Sequence, residues 1–147
     1  EGQTIYVGEK KSVAGIEVEA VAMYNLTRGP EPGKFFHAKS SGRDYDGYAC
    51  DEEGRGNGYI LTMGDKRLYI SGDTECIPEV KALQNIDLAF VSMNLPYTMS
   101  PGEAAACVNS FKPQIVYPYH YGQSNLEEFT RAVQATPGIE VRLRKWY

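Results

Sequence analysis

The stretch Arg67-Leu68-Tyr69-Ile70-Ser71-Gly72-Asp73-Thr74 starts as an apolar strand and ends in Gly-Asp-Thr, shortly before a Pro-led helical segment, Pro78 to Leu83. An Asp at the end of a strand that feeds a helix points out of the sheet edge, where sites in α/β proteins gather. Working back from it, Gly58 to Met63 is a second apolar run, and Gly64-Asp65-Lys66 between the two reads as a hairpin turn. Earlier still, Thr4 to Val7 and Gly15 to Tyr24 alternate; Ile16, Val18, Ala20 and Ala22 face one way while Glu17 and Glu19 face the other, the period of a half-buried strand.

Downstream the rhythm becomes α/β. Ile86 to Met93 is a continuous apolar strand of the kind buried on both faces. Ser100-Pro101-Gly102-Glu103 opens a helix through Phe111, with Ser as N-cap, Pro at the first position and Glu at the third. Ile115 to Tyr119 is another buried strand. Ser124-Asn125-Leu126-Glu127 caps a helix to about Ala135 in the same manner, Thr136-Pro137-Gly138 stops it, and Ile139 to Leu143 closes as a strand. The expected order is four mostly antiparallel strands followed by helix–strand–helix–strand–helix–strand, in one domain over residues 1–147. The segment Asn25 to Asn57, with six Gly and two Pro, has no sustained period; long loops of this kind are often functional.

Composition narrows the function classes. Apolar residues make up 42% and charged residues 23%, ordinary for a globular protein, and the net charge of −4 argues against a nucleic-acid or anionic-membrane partner. Arg142, Arg144 and Lys145 form the basic cluster, read as the solvated face of a final strand. No apolar run reaches the roughly 20 residues needed to span a bilayer, and the segment Glu1 to Gly8 has no basic leader and no initiator Met. Cys50, Cys76 and Cys107 are odd in number and lack CxxC spacing, which argues against a disulfide scaffold and a zinc knuckle, and points to a reducing cytoplasm.

Two motifs carry candidate chemistry. Asp73 is one; its alternative is helix capping, with Asp73 or Thr74 accepting N–H bonds from the turn before Pro78. His120, in Pro118-Tyr119-His120-Tyr121-Gly122, is the other; it ends a buried strand at a Gly turn, and a hydrogen-bonded structural histidine is its alternative. Both strands end on the same side of a parallel portion, so Asp73 and His120 can approach one another. Carboxylate and imidazole are natural ligands for zinc or iron. Asp44, Asp46, Asp51, Glu52 and Glu53 make an acidic loop that lacks the spacing of an EF-hand and reads as solvated.

Gly58 to Leu61, Arg67 to Thr74, Ile86 to Val91, Tyr97-Thr98-Met99 with Glu103-Ala104-Ala105, and Pro118 to Gly122, in that order and spacing, resemble the metallo-β-lactamase superfamily, in particular its small cytosolic hydrolases related to L-ascorbate-6-phosphate lactonase. The resemblance covers most of Gly15 to Gly122. It implies an α/β (α+β) fold: the C-terminal part of an αββα sandwich, a mixed sheet with helices packed on one face. It also implies that Asp73 bridges two divalent metals, zinc with manganese or iron as alternatives, and that His120 ligates one. The reaction implied is hydrolysis of a small-molecule ester, lactone or phosphoester by a metal-activated water.

The departures from the family pattern are large. The HxHxDH motif that supplies most of the family's ligands is absent, and His37 and His120 are the only histidines. Asn25 stands where the family usually places a ligand His, and His37 in Phe36-His37 is read as a substitute ligand or a substrate contact. Tyr97 is placed on the rim of a substrate pocket, with Asn25. Two ligands fall short of the three typical of catalytic zinc. The leading expectation is therefore a hydrolase incomplete in this chain alone and completed by an N-terminal half. The alternatives are an inactive half-fold acting as a binding or homo-oligomerisation module, and an enzyme with one weakly held metal on Asp73, His120 and His37.

Overall fold

A computed structural model of the chain describes residues 5–39 and 56–146. Its strands form one seven-stranded sheet in simple sequence order: β1 (Lys10–Val13), β2 (Ile16–Val21), β3 (Gly58–Met63), β4 (Lys66–Ile70), β5 (Leu88–Ser92), β6 (Ile115–Tyr119) and β7 (Glu140–Val141). β1 to β4 pair antiparallel, and β4 to β7 run parallel. The parallel crossovers are made by α1 (Pro78–Lys81), α2 (Pro101–Phe111) and α3 (Leu126–Gln134). The mixed α/β architecture expected from the change of period is the one observed.

Alternation along each strand divides the sheet into two faces. Ile60, Tyr69, Ala89, Val91 and Val116 point to the helices and form one core with Val80, Val108, Phe111, Phe129 and Val133. The opposite face carries Val18, Leu61, Leu68, Ile70, Leu88, Phe90 and Tyr117, all only half-buried. Among the described residues Trp146 is the one large ring laid across it, edge-on to both Phe90 and Tyr117. The sheet thus has one packed face and one apolar face without a covering layer among the described residues.

Local chemistry explains the helix starts. At α2 the Ser100 hydroxyl accepts from the Glu103 N–H while the Glu103 carboxylate accepts from the Ser100 N–H, the reciprocal box expected. At α3 the cap is Asn125, whose side-chain oxygen accepts from the N–H groups of Glu127 and Glu128; the neighbouring Ser124 hydroxyl instead donates to the Met93 carbonyl. The expected Ser124 cap is corrected accordingly.

Several other boundaries move. The first strand is Lys10–Val13 rather than Thr4 to Val7, because Ala14-Gly15, both at positive φ, turn the chain back onto β2. The closing strand is shorter than expected; just past it Arg142 pairs with the Glu140 carboxylate at 2.6 Å, and Arg144 and Lys145 are exposed to solvent. The acidic loop of Asp44, Asp46, Asp51, Glu52 and Glu53 lies outside the described residues.

Cys76 and Cys107 form a disulfide, with Cα atoms 5.5 Å apart and a sequence separation of 31. This corrects the expectation drawn from cysteine spacing. The pair links the segment after β4 to the sheet-facing side of α2, a proximity created by the crossover and invisible in the spacing. Stable disulfides belong to oxidising environments, so the cysteine count no longer supports a reducing cytoplasm. No helix among the described residues is long and apolar enough to cross a membrane.

Candidate metal centre

β4 and β6 are parallel and both end at the same sheet edge. Gly72 follows β4 at φ +64, where a Cβ would lie 2.6 Å from the Met23 sulfur and 2.9 Å from the Asn57 carbonyl oxygen. Only glycine fits there, and the tight turn it allows puts Asp73 over the edge. His120 leaves β6 at φ +45. The two side chains meet: His120 Nδ1 lies 2.7 Å from Asp73 Oδ1. The Asn94 amide N–H approaches His120 Nε2 at 3.4 Å, which leaves Nδ1 as the protonated nitrogen that donates to Asp73.

The capping alternative for the Gly-Asp-Thr segment does not hold. The N-cap of α1 is Ile77, with no side-chain hydrogen bond. Thr74, fully buried, accepts from the Tyr24 N–H and lies 2.9 Å from the Tyr24 carbonyl oxygen, tying the loop to the end of β2.

Residues 25–37 bring the second histidine to the same place. Asn25 is buried; its Nδ2 donates to the Tyr97 carbonyl at 2.8 Å, and its Oδ1 accepts from His37 Nδ1 at 2.6 Å. His37 Nε2 stands 3.9 Å from Asp73 Oδ2. Burial holds the His37 imidazole below its ordinary pKa against the opposing pull of the Asp73 charge and the Tyr97 backbone. The ring is therefore neutral at pH 7, the form in which histidine ligates a metal. Tyr97 is 46% exposed and packs edge-on against Phe36 at the rim. All five residues singled out in the sequence, Asn25, His37, Asp73, Tyr97 and His120, converge.

Two residues of the site carry no motif. Glu75, 6% exposed, accepts from the backbone N–H groups of Leu26, Thr27 and Arg28 and from the Thr27 hydroxyl. It thereby fixes the loop whose first residue orients His37. Arg28 in turn bridges to Glu103 at 2.6 Å, joining that loop to α2. Asn94 is the other: it lies two residues past the end of β5, beside β6, and its amide approaches His120 at 3.4 Å.

The donor types suit a divalent cation, but the arrangement is short of a cage. Two ligands of one tetrahedral zinc stand about 3.4 Å apart, given bonds of roughly 2.0–2.2 Å. The 2.7 Å separation of His120 and Asp73 is that of a hydrogen bond instead. Among the described residues no group of three or more His, Cys, Asp or Glu is disposed to hold a metal. By themselves, then, these residues form a carboxylate–imidazole pair with a second imidazole alongside, and they do not fit a metal centre.

A family model, the beta-lactamase superfamily domain, matches residues 1–120. A UPF0173 metal-dependent hydrolase of Symbiobacterium thermophilum is 32% identical over 105 residues, covering 67% of this chain and 42% of the relative. Another, from Pelotomaculum thermopropionicum, is 24% identical over 147 residues, covering 95% of this chain and 58% of the relative. A crystal structure from Parabacteroides distasonis, provisionally designated a metal-dependent hydrolase, superposes with a TM-score of 0.78 at 39% identity, over 98% of this chain and 58% of that one. The chain thus spans about half the length of the curated relatives it matches.

Proposed function

The chain belongs to the beta-lactamase superfamily, and from that premise we propose that it is one part of a metal-dependent hydrolase, completed by polypeptide packed against the open face of its sheet. The observation that carries this reading is the convergence of Asp73, His120 and His37 from three distant segments onto one sheet edge. Asp73 and His120 are the ligands this chain contributes, with His37 as a third or as a substrate contact. Asn25 holds the His37 ring, and the exposed Tyr97 ring borders the substrate. The open apolar face supports the completing layer, since a contiguous apolar surface of this kind marks an interaction site.

The metal we assign is zinc, with manganese or iron as alternatives, and the substrate class is a small ester, lactone or phosphoester. The test is hydrolysis of p-nitrophenyl acetate, a γ-lactone and bis-p-nitrophenyl phosphate by the complete polypeptide in which these residues occur, before and after chelation. At least one rate should fall on chelation. Asp73→Ala should reduce it by more than the roughly 10- to 100-fold lost when a residue merely supports a ligand. Unchanged activity in Asp73→Ala would refute the assignment. A second reading, an inactive half-fold that self-associates, is favoured by the same apolar face and by the hydrogen-bonded state of Asp73 and His120. It requires a stable metal-free homo-oligomer and no hydrolysis of any of the three substrates.

A further inference from the structure

A second concavity lies on the helix side of the sheet, between β2–β4 and α1, with a volume of about 470 Å³. None of Asn25, His37, Asp73, Tyr97 or His120 lines it. Its size is within the range of small-molecule sites, roughly 300–1,000 Å³. Val21, Ile60, Val80 and Leu83 supply apolar wall.

Two of its polar groups have no hydrogen-bond partner among the described residues. Arg67 and Tyr69 stand two apart on β4, on the face turned to the helices, and both line the cavity. Tyr69 is fully buried, and neither its hydroxyl nor the buried Arg67 Nε has a hydrogen-bond partner among the described residues. Burying a hydroxyl or a guanidinium N–H without a partner is costly enough that the large majority of buried side-chain polar groups are paired. Two such groups on residues that line one cavity mark a place where a missing acceptor belongs.

Charge narrows what that acceptor is. The two carboxylates on the wall are already matched: Glu19 with Lys10 at 3.1 Å, and Glu79 with Lys39 at 3.0 Å. Arg67 has no ion pair among the described residues, so the uncompensated charge on the wall is positive. A guanidinium fork suits a carboxylate, and a phenol hydroxyl beside it adds a further donor.

We propose that this cavity binds a small organic carboxylate, its carboxylate held by Arg67 and Tyr69 and its hydrocarbon portion against Val21, Ile60, Val80 and Leu83. The site is separate from the candidate metal centre and independent of the function assigned there.

The probe is octanoate, titrated into the ¹⁵N-labelled chain and followed by NMR, with 1-octanol as the uncharged control. Octanoate should bind saturably, with shifts confined to β2–β4 and α1, and at least tenfold more tightly than 1-octanol. Tyr69→Phe and Arg67→Gln should each weaken octanoate about tenfold. Because the Tyr69 hydroxyl has no partner among the described residues, Tyr69→Phe should leave the melting temperature without ligand unchanged or raised, so loss of affinity cannot be ascribed to misfolding. No saturable shift, as a cavity already filled by the protein's own chain would give, overturns the proposal. So does octanoate binding that 1-octanol matches, or that both variants leave intact.

Discussion

At the candidate centre the side chains that matter most in holding geometry are not those that would do chemistry. Glu75 gathers three consecutive backbone N–H groups of residues 26–28 into one buried carboxylate. Replacing it by Ala leaves those donors without their acceptor, at on the order of 1–3 kcal/mol for each that water cannot reach. We therefore expect Glu75→Ala to lower the unfolding free energy measured in urea by at least about 2 kcal/mol. The ring resonances of His37 should shift with it, although His37 does not touch Glu75. Gly72 is a second such position. Its φ of +64 and the 2.6 Å approach to Met23 leave no room for a methyl group. Gly72→Ala should destabilise the chain by more than the roughly 1 kcal/mol that an unstrained Gly-to-Ala change can gain, and should break the His120–Asp73 contact as followed by NMR. Asp73 and His120 were legible in the sequence because each ends an apolar strand at a Gly turn. Glu75 was not, because a carboxylate that accepts from backbone 47–49 residues away carries no local signal.

Among the elements, the βαβ units carry their own instructions. Ser100, Pro101 and Glu103 announce α2, and the structure uses all three. The weaker signals misled for physical reasons. Lys10–Val13 is polar, so its strand character comes from pairing with β2, not from alternation. Cys76 and Cys107 are joined only because α2 returns across the segment after β4. Closing a loop of 31 residues should contribute about 3–4 kcal/mol by restricting the unfolded chain. The Cys76→Ser, Cys107→Ser double variant should therefore melt well below the parent, and reductant should bring the parent down to meet it. Identical melting with and without reductant would show that the bond is not formed. At the opposite end of the strands, Asp87 accepts from the Arg67 N–H at 2.9 Å, from Lys66 at 3.1 Å and from Gln114 at 3.2 Å, joining the starts of β4, β5 and β6. The Arg67 N–H first, then Lys66, hold its carboxyl below the usual Asp range. A depressed pKa means that the unfolded state takes up the proton first. The contribution of Asp87 is thus complete at neutral pH, begins to fade as pH falls through the unfolded value near 4, and is gone below the folded one. Asp87→Asn should be less stable than the parent at pH 7, and the gap should narrow as the pH drops below 4.

For the molecule as a whole, the sheet decides what the chain is able to be. Helices cover one face; Leu61, Leu68, Ile70, Leu88, Phe90 and Tyr117 line the other with little laid over them among the described residues. The missing HxHxDH segment points to a fold completed by further chain, and the strand register supplies the residues of the face left without a covering layer among the described residues. The same shortfall governs the candidate centre, where a carboxylate and two imidazoles meet in a hydrogen-bonded arrangement rather than a cage. The central claim is that Asp73, His120 and His37 are one part of a metal centre. Equilibrium dialysis against zinc of the complete polypeptide in which these residues occur, beside its Asp73→Ala, His120→Ala and His37→Ala variants, tests it most directly. We predict zinc binding in the parent and its loss in the Asp73 and His120 variants. Zinc retained undiminished in Asp73→Ala, or no zinc taken up by the parent, would contradict it.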